Sequence, residues 1–395
     1  MAEPVAQNQY ISIFGRTTGM NGEDFDPIEF EGNGIAILNP SKCTITETLN
    51  GGYSLTLTHP TDSDNAWKTI YPLNFIKAQG QIFRIQSVET SYDGSSSGNV
   101  SVYAEHVTYM MNDAWIHHNS IVHGEWMVSF LDSARDASLP NGSTEWSAEK
   151  KFPNFTYNSD ISFPDEYKTV QLDDFLNLQY VHDIGEGKTR YQVMMEAIQK
   201  FGGELYRDNF YFSIMKRMEN SLGGDGKLDA FDIRLGENML GIKRKVDISN
   251  FCSYFSGYTD NGLEHAHAYG DMAGFMNNIV RQKRYSDVTN FDVLKHEVAS
   301  YFGYYMQPEF TYTLKLKDLR RNPDFKMLSG VRFKVGDIGR IVDERLELSN
   351  NLRLEITQTK TNGITGEVEE ITLKSISEFN WNYGSVKLPD FPFHQ

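Results

Sequence analysis

CTITETLNGGYSLTLTHP, residues 43–60, is the stretch whose reading decides the fold. Apolar side chains take alternate positions, Cys43, Ile45 and Leu49, then Tyr53, Leu55 and Leu57. Thr44, Thr46 and Thr48, then Ser54, Thr56 and Thr58, fill the positions between. Asn50-Gly51-Gly52 separates the runs, and an Asn-Gly step between alternating runs signals a hairpin because primed turns need positive φ. The spacing predicts a two-faced β-ribbon. Ile45, Leu49, Tyr53, Leu55 and Leu57 form its apolar face, and threonine hydroxyls line the other.

Outward from the ribbon, GIAIL (34–38), FIKAQGQIFRIQSVETS (75–91) and NVSVYAEHVTYMM (99–111) continue the strand texture to about residue 112. Short strands at close spacing predict a sandwich or barrel. The texture then changes. Trp126 to Ala137 places Met127, Phe130, Leu131 and Ala134 on one helical face. Thr189 to Phe201 predicts a second helix, with Val193, Met194, Ala197, Ile198 and Phe201 inward, a Thr189/Gln192 capping box and a Gly202-Gly203 stop. ELYRDNFYFSIMKR (204–217) reads as two short strands, and GGDGK (223–227) as a linker. Strands resume at 231–258. A helix over 292–305 and the strand FTYTLKLKDL (310–319) interrupt them, and a long hairpin turning at Asn362-Gly363 follows. The fold class expected is α+β, β-rich.

Composition narrows the function classes. With 37 basic and 53 acidic residues the net charge is −16, which opposes gripping a phosphate backbone through a basic face. Aromatic content of 13% favours β structure and broad contact surfaces. Two cysteines, Cys43 and Cys252, make no disulfide framework and read as buried thiols of a reducing compartment. MAEPVAQNQYISIFGR lacks the basic and apolar regions of a secretory signal, and no apolar run reaches the roughly 20 residues of a membrane span.

Three motifs tempt a chemical reading. GEGKT (185–189) resembles the end of a phosphate-binding loop, but the first glycine such a loop needs is replaced by His182, so a flexible turn before a helix is the better reading. HEVAS (296–300) has Ser300 where a zinc-protease helix needs its second histidine. In EHAHAYGD (264–271), Glu264, His265, His267 and Asp271 are the candidate metal ligands, with His265 and His267 on one strand face, although a His-x-His pair alone is weak. No catalytic constellation and no cofactor site emerges. Aromatics at Trp146, Phe152, Phe155 and Tyr157 leave room for a carbohydrate-binding module.

The order of segments carries more. ITETLNGGYSLTLTHP (45–60), GQIFRIQSVETS (80–91), VSVYAEHVTYMMND (100–113), YQVMMEAIQKFGGELYRDNFYF (191–212), LGENMLGIKRKVDISNF (235–251) and VGDIGRIVDERLELSNNLRLEITQ (335–358) together resemble the tail-tip hub proteins of phages and prophages. These are the N-terminal structural region of tail-associated lysins and of the prophage tail endopeptidase family, similar to the central baseplate hub of contractile-tailed phages. The resemblance implies two related β-barrel tube domains, at 1–112 and at 236–260 plus 321–384. An α/β domain at 113–235 plus 261–320 and a tail at 385–395 complete the chain. It implies a homotrimer at the virion tail tip, assembled in the host cytoplasm. The trimer would dock on a distal tail protein hexamer, meet the tape-measure protein and receptor-binding or baseplate proteins, and open for DNA. In that setting Thr46, Thr48, Thr56 and Thr58 form the candidate interface face. Longer relatives continue into a lytic or receptor-binding extension, whereas this sequence ends at PDFPFHQ (389–395), the end of a short hub or of a truncated chain. A tail-associated peptidoglycan endopeptidase is the enzymatic alternative.

Overall fold

A computed structural model describes residues 10–18, 20–21, 24–25, 27–61, 65–92, 94, 98–137, 155–170, 178–218, 231–234, 239–268, 279–286, 288–306, 309–316, 333–342 and 354–375. The chain is α+β and β-rich, in two compact units. The first comprises Met1–Ala230, Leu316–Asp337 and Ile356–Ile371. The second comprises Phe231–Lys315, Ile338–Glu355 and Thr372–Gln395. Among the described residues no helix is long and apolar enough to cross a membrane.

The first unit is organised on an antiparallel sheet of β1 (Ile11–Phe14), β2 (Ala36–Leu38), β3 (Lys42–Thr48), β4 (Tyr53–Pro60), β5 (Phe75–Ala78), β6 (Gln81–Tyr92) and β7 (Gly98–His106). Its spatial order is β3-β4-β7-β6-β5-β1-β2, and the strand Leu354–Asn362 pairs with β3 along the other side. Among the described residues no sheet closes into a barrel, and β2 is an edge. One face carries the core. Ile45, Tyr53, Leu55, Leu57, Val102 and Ala104 pack in one buried cluster with Ile13, Ile76, Phe83 and Ile85. Leu49 lies beyond the end of β3, half-buried against a separate cluster of Met215, Met218 and Val335.

Turn chemistry differs from the sequence reading in an instructive way. Asn50 has φ of 49°, but Gly51 and Gly52 stay outside the positive-φ region, so the Asn-Gly step does not form a primed turn. Instead the Gly51 N–H donates to the Thr48 carbonyl at 3.0 Å and the Thr48 N–H to the Gly52 carbonyl at 2.7 Å, a three-residue loop with one left-handed position. The two-residue primed turn occurs between β5 and β6, where Gln79 and Gly80 have φ of 51° and 79°.

Helices α1 (Met127–Ala137) and α2 (Arg190–Phe201) follow the sheet. Thr189 caps α2, accepting from the Gln192 N–H while the Gln192 side chain accepts from the Thr189 N–H. Gly202 and Gly203, with φ of 76° and 123°, stop the helix and turn the chain into β8 (Glu204–Asp208), which pairs with β9 (Tyr211–Met215). A Cβ on Gly203 would run into Ile161 Cδ1.

In the second unit, β10 (Tyr254–Tyr258) lies between antiparallel β11 (Glu264–Ala268) and parallel β12 (Val280–Arg284). Helix α3 (Phe291–Tyr305) packs on this sheet through buried Leu294, Val298 and Phe302. Arg281 donates to the carbonyl of Phe251 at 3.2 Å, tying β12 to the chain leading into β10. The linker at 223–227, the 343–353 part of the 335–358 segment, Trp146, Phe152, Asp271 and the tail at 385–395 lie outside the described residues.

Candidate functional site

The opening ribbon presents a polar face and ends in a buried anchor. Register places Thr44 opposite Thr56, Thr46 opposite Ser54, and Thr58 opposite Ser101 of β7. The same rows continue onto the C-terminal strand, where Lys360 pairs with Thr46 and Gln358 with Thr48. Thr56 is exposed, while Thr46, Thr48 and Thr58 are half-buried. Gln358 Nε2 donates to Thr48 Oγ1 at 3.0 Å, so part of this face is occupied by the chain's own C-terminal hairpin.

The tip of the ribbon is gripped from β8. Arg207, its side chain fully buried, donates from Nη1 to the Gly51 carbonyl at 2.9 Å and from Nη2 to the Thr48 carbonyl at 3.1 Å. Asn50 Nδ2 donates to the Gly203 carbonyl at 2.7 Å, and its Oδ1 accepts from the Leu205 N–H at 2.8 Å. These bonds explain the loop geometry. An Asn side chain reaching the Gly203 carbonyl and the Leu205 N–H holds its own backbone in the left-handed region, which Asn tolerates.

Aromatic and charged neighbours complete the anchor. The Arg207 guanidinium lies 5.0 Å from the Tyr53 ring centre, and Tyr53 stacks on His106 at 4.5 Å. Glu47 Oε1 is 3.8 Å from Arg207 Nη2. Burial raises the Glu47 carboxyl above its usual range, opposed by the charges of Arg207 and Lys334. Burial, with the Arg207 charge adding, holds His106 far below the usual imidazole range, so it is neutral. His106 Nδ1 accepts from the Thr108 N–H, leaving Nε2 to donate to Gln81 Oε1 at 3.1 Å. Gln81 Oε1 also accepts from the Asn209 N–H at 3.2 Å, and Asn209 Oδ1 accepts from Ile82 N–H at 2.9 Å. Residues 203–209 thus fasten the tips of two hairpins of the sheet.

The sequence reading did not find this anchor. Its signal is Glu47, a charge at a position whose parity points inward with Cys43 and Ile45, together with Arg207 two residues after buried Leu205 on β8. A polar residue on an apolar parity usually means a buried partner, and here the partner is 160 residues away.

The other candidates sort plainly. Lys188 of the GEGKT stretch pairs with Glu196 at 2.8 Å, and His182 meets the same carboxylate at 3.1 Å, so that lysine serves the helix beside it. Phe155 packs against the buried cluster containing Phe210, and Tyr157 donates to Asp132 at 2.6 Å and stacks on Phe212, so both rings have protein partners. His265 and His267 are brought together, with Nε2 atoms 3.3 Å apart. Among the described residues no group of three or more His, Cys, Asp or Glu could hold a metal ion.

Family models match at both ends of the chain, the prophage endopeptidase tail N-terminal domain over residues 28–106 and the prophage endopeptidase tail over 227–378. The fold is similar to that of a 43 kDa tail protein of prophage MuSo2 from Shewanella oneidensis, at 14% identity and TM-score 0.59, covering 87% of this chain and 95% of that one. It is also similar to a tail protein from Neisseria meningitidis MC58, at 11% identity and TM-score 0.59, covering 93% and 96%. A prophage tail protein, gp18, from Listeria monocytogenes EGD-e matches at 14% identity and TM-score 0.52, covering 86% and 90%. No curated protein sequence matches.

Proposed function

The chain is a phage tail protein belonging to the prophage endopeptidase tail family, and on that premise we propose that it is the structural hub of the tail tip. In this reading three copies associate, and the two β-rich tube domains of each build a ring of barrels that continues the tail tube. The ring docks on a distal tail protein hexamer, meets the tape-measure protein and baseplate or receptor-binding proteins, closes the tail, and opens for DNA. Assembly takes place in the host cytoplasm, and the mature site is the virion tail tip.

The observation that carries the proposal is the two-faced sheet. One side is a continuous apolar core, and the other aligns the hydroxyls of Thr44, Thr46, Thr48, Ser54, Thr56, Thr58 and Ser101 in register across three strands. A hydroxyl-rich wall on a chain of net charge −16 offers few cations to trap a passing polyanion, which suits either a conduit lining or a polar subunit contact. Native mass determination tests the reading. A trimer supports it, and a chain that stays monomeric in the presence of its tail partners refutes it.

The family description favours a second reading, a tail-associated peptidoglycan endopeptidase. A zymogram on cell wall separates the two, because lysis by this chain would displace the purely structural role.

A further inference from the structure

We propose that His265 and His267 form a two-imidazole chelate for a divalent transition-metal ion of the zinc class. The two residues stand at i and i+2 on β11 and so project to one side of the strand. Their Nε2 atoms are 3.3 Å apart and their rings nearly perpendicular, at 83°. In a tetrahedral site with zinc–nitrogen bonds of about 2.0–2.1 Å, two ligand nitrogens stand about 3.3–3.4 Å apart. The bite of the pair already matches that spacing.

The rings are held in place by α3. His265 meets the Phe291 ring edge-on at 5.7 Å, and His267 lies parallel to the Phe302 ring at 6.0 Å. Phe291 and Phe302 are eleven residues apart, three turns along one helix face, so a single rigid element positions both imidazoles. Such support keeps the ordering cost of binding low. Both histidines are half-buried, open enough for an ion to enter. Burial lowers both imidazoles below their usual range, which favours the neutral form that ligates. Lys295, on the same helix, adds to that lowering and opposes a bound cation, but its side chain is exposed and its ammonium can swing into water. Two protein nitrogens leave the remaining coordination positions for water or for donors from another molecule.

The same distance also accommodates a plain N–H···N contact between neutral imidazoles, and the experiment separates the two. Cu²⁺, Ni²⁺ and Zn²⁺ are titrated separately into the full chain, with calorimetry for affinity and electron paramagnetic resonance of the Cu²⁺ form for ligand count. The expected result is one site per chain with two imidazole nitrogens on copper, and affinity higher for Cu²⁺ than for Ni²⁺ or Zn²⁺. His265→Gln and His267→Gln each weaken binding by about tenfold or more. Lys295→Gln tightens it severalfold. Circular dichroism of the variants, unchanged, shows that they fold. Equal affinity in the wild type and the double His→Gln variant, or a copper signal with fewer than two imidazole nitrogens, overturns the proposal and leaves a hydrogen-bonded pair.

Discussion

Replacing Arg207 with Met keeps the volume and removes the charge, which isolates the bonds at the ribbon tip. Two guanidinium–carbonyl bonds, at 2.9 and 3.1 Å, are each worth about 1.5–3 kcal/mol by mutational standards. Three features reduce the loss. The Gly51 carbonyl keeps a donor in Tyr109 Oη at 2.9 Å, and the Thr48 carbonyl keeps the Gly51 N–H at 3.0 Å, so neither is orphaned. Arg207 Nε is buried without a hydrogen-bond partner, and its desolvation cost is recovered on replacement. Glu47 stands 3.8 Å away with its side chain 25% exposed, so the ion pair is screened. The net cost is about 2 kcal/mol. Hydrogen exchange over residues 42–60, measured by mass spectrometry under conditions where opening is the fast step, should accelerate about 30-fold.

The pH dependence carries the sign. Glu47 has a folded pKa above its unfolded one, so its burial costs nothing while it is protonated in both states. The penalty grows as pH rises through the folded pKa. Arg207 restrains that rise, so Arg207→Met should lose more protection at pH 7 than at pH 4. Glu47→Gln in the same chain should restore part of the neutral-pH loss. Acceleration below about threefold, or strict additivity of the two changes, would refute the assignment of Arg207 as the anchor.

The remaining expectations concern single sites. Leu55→Glu places a charge in a fully buried position and should unfold the first unit, whereas exposed Thr56→Lys should shift stability by less than about 0.5 kcal/mol and, on the hub reading, impair trimer formation in native mass measurements. Burial pushes the Cys43 thiol up to about 12, so a maleimide should leave it unlabelled in the folded chain at pH 8 and label it in urea. Gly203→Ala adds a Cβ against Ile161 at φ of 123° and should cost about 1–3 kcal/mol, read as a lower denaturant midpoint.

How much of this was legible depends on range. The ribbon, the α2 capping box and the pairing of His265 with His267 rest on neighbours within a few residues, and alternation or helical spacing exposes them. The loop at Asn50 departs from the primed turn that its sequence predicts because its conformation answers to Gly203 and Leu205, groups no local pattern contains. Glu47 and Arg207 are invisible to local pattern for the same reason: each looks like a solvent-facing charge until the fold supplies the other. Leu49 fits the apolar alternation by count, yet the strand ends at Thr48 and the side chain turns to Met215 and Met218.

The pairing of β3 with Leu354–Asn362 has a consequence for how the protein is made. Gln358 and Thr48, joined by a hydrogen bond, are 310 residues apart in the chain. At ribosomal rates of about 5–20 residues per second, β3 waits roughly 15–60 s for its outer neighbour. Throughout that interval a nascent sheet exposes an unpaired strand edge, the surface most prone to capture by another copy. The order of the strands thus builds a window of aggregation risk into synthesis, and a chaperone or early assembly partner that covers β3 would act in that window.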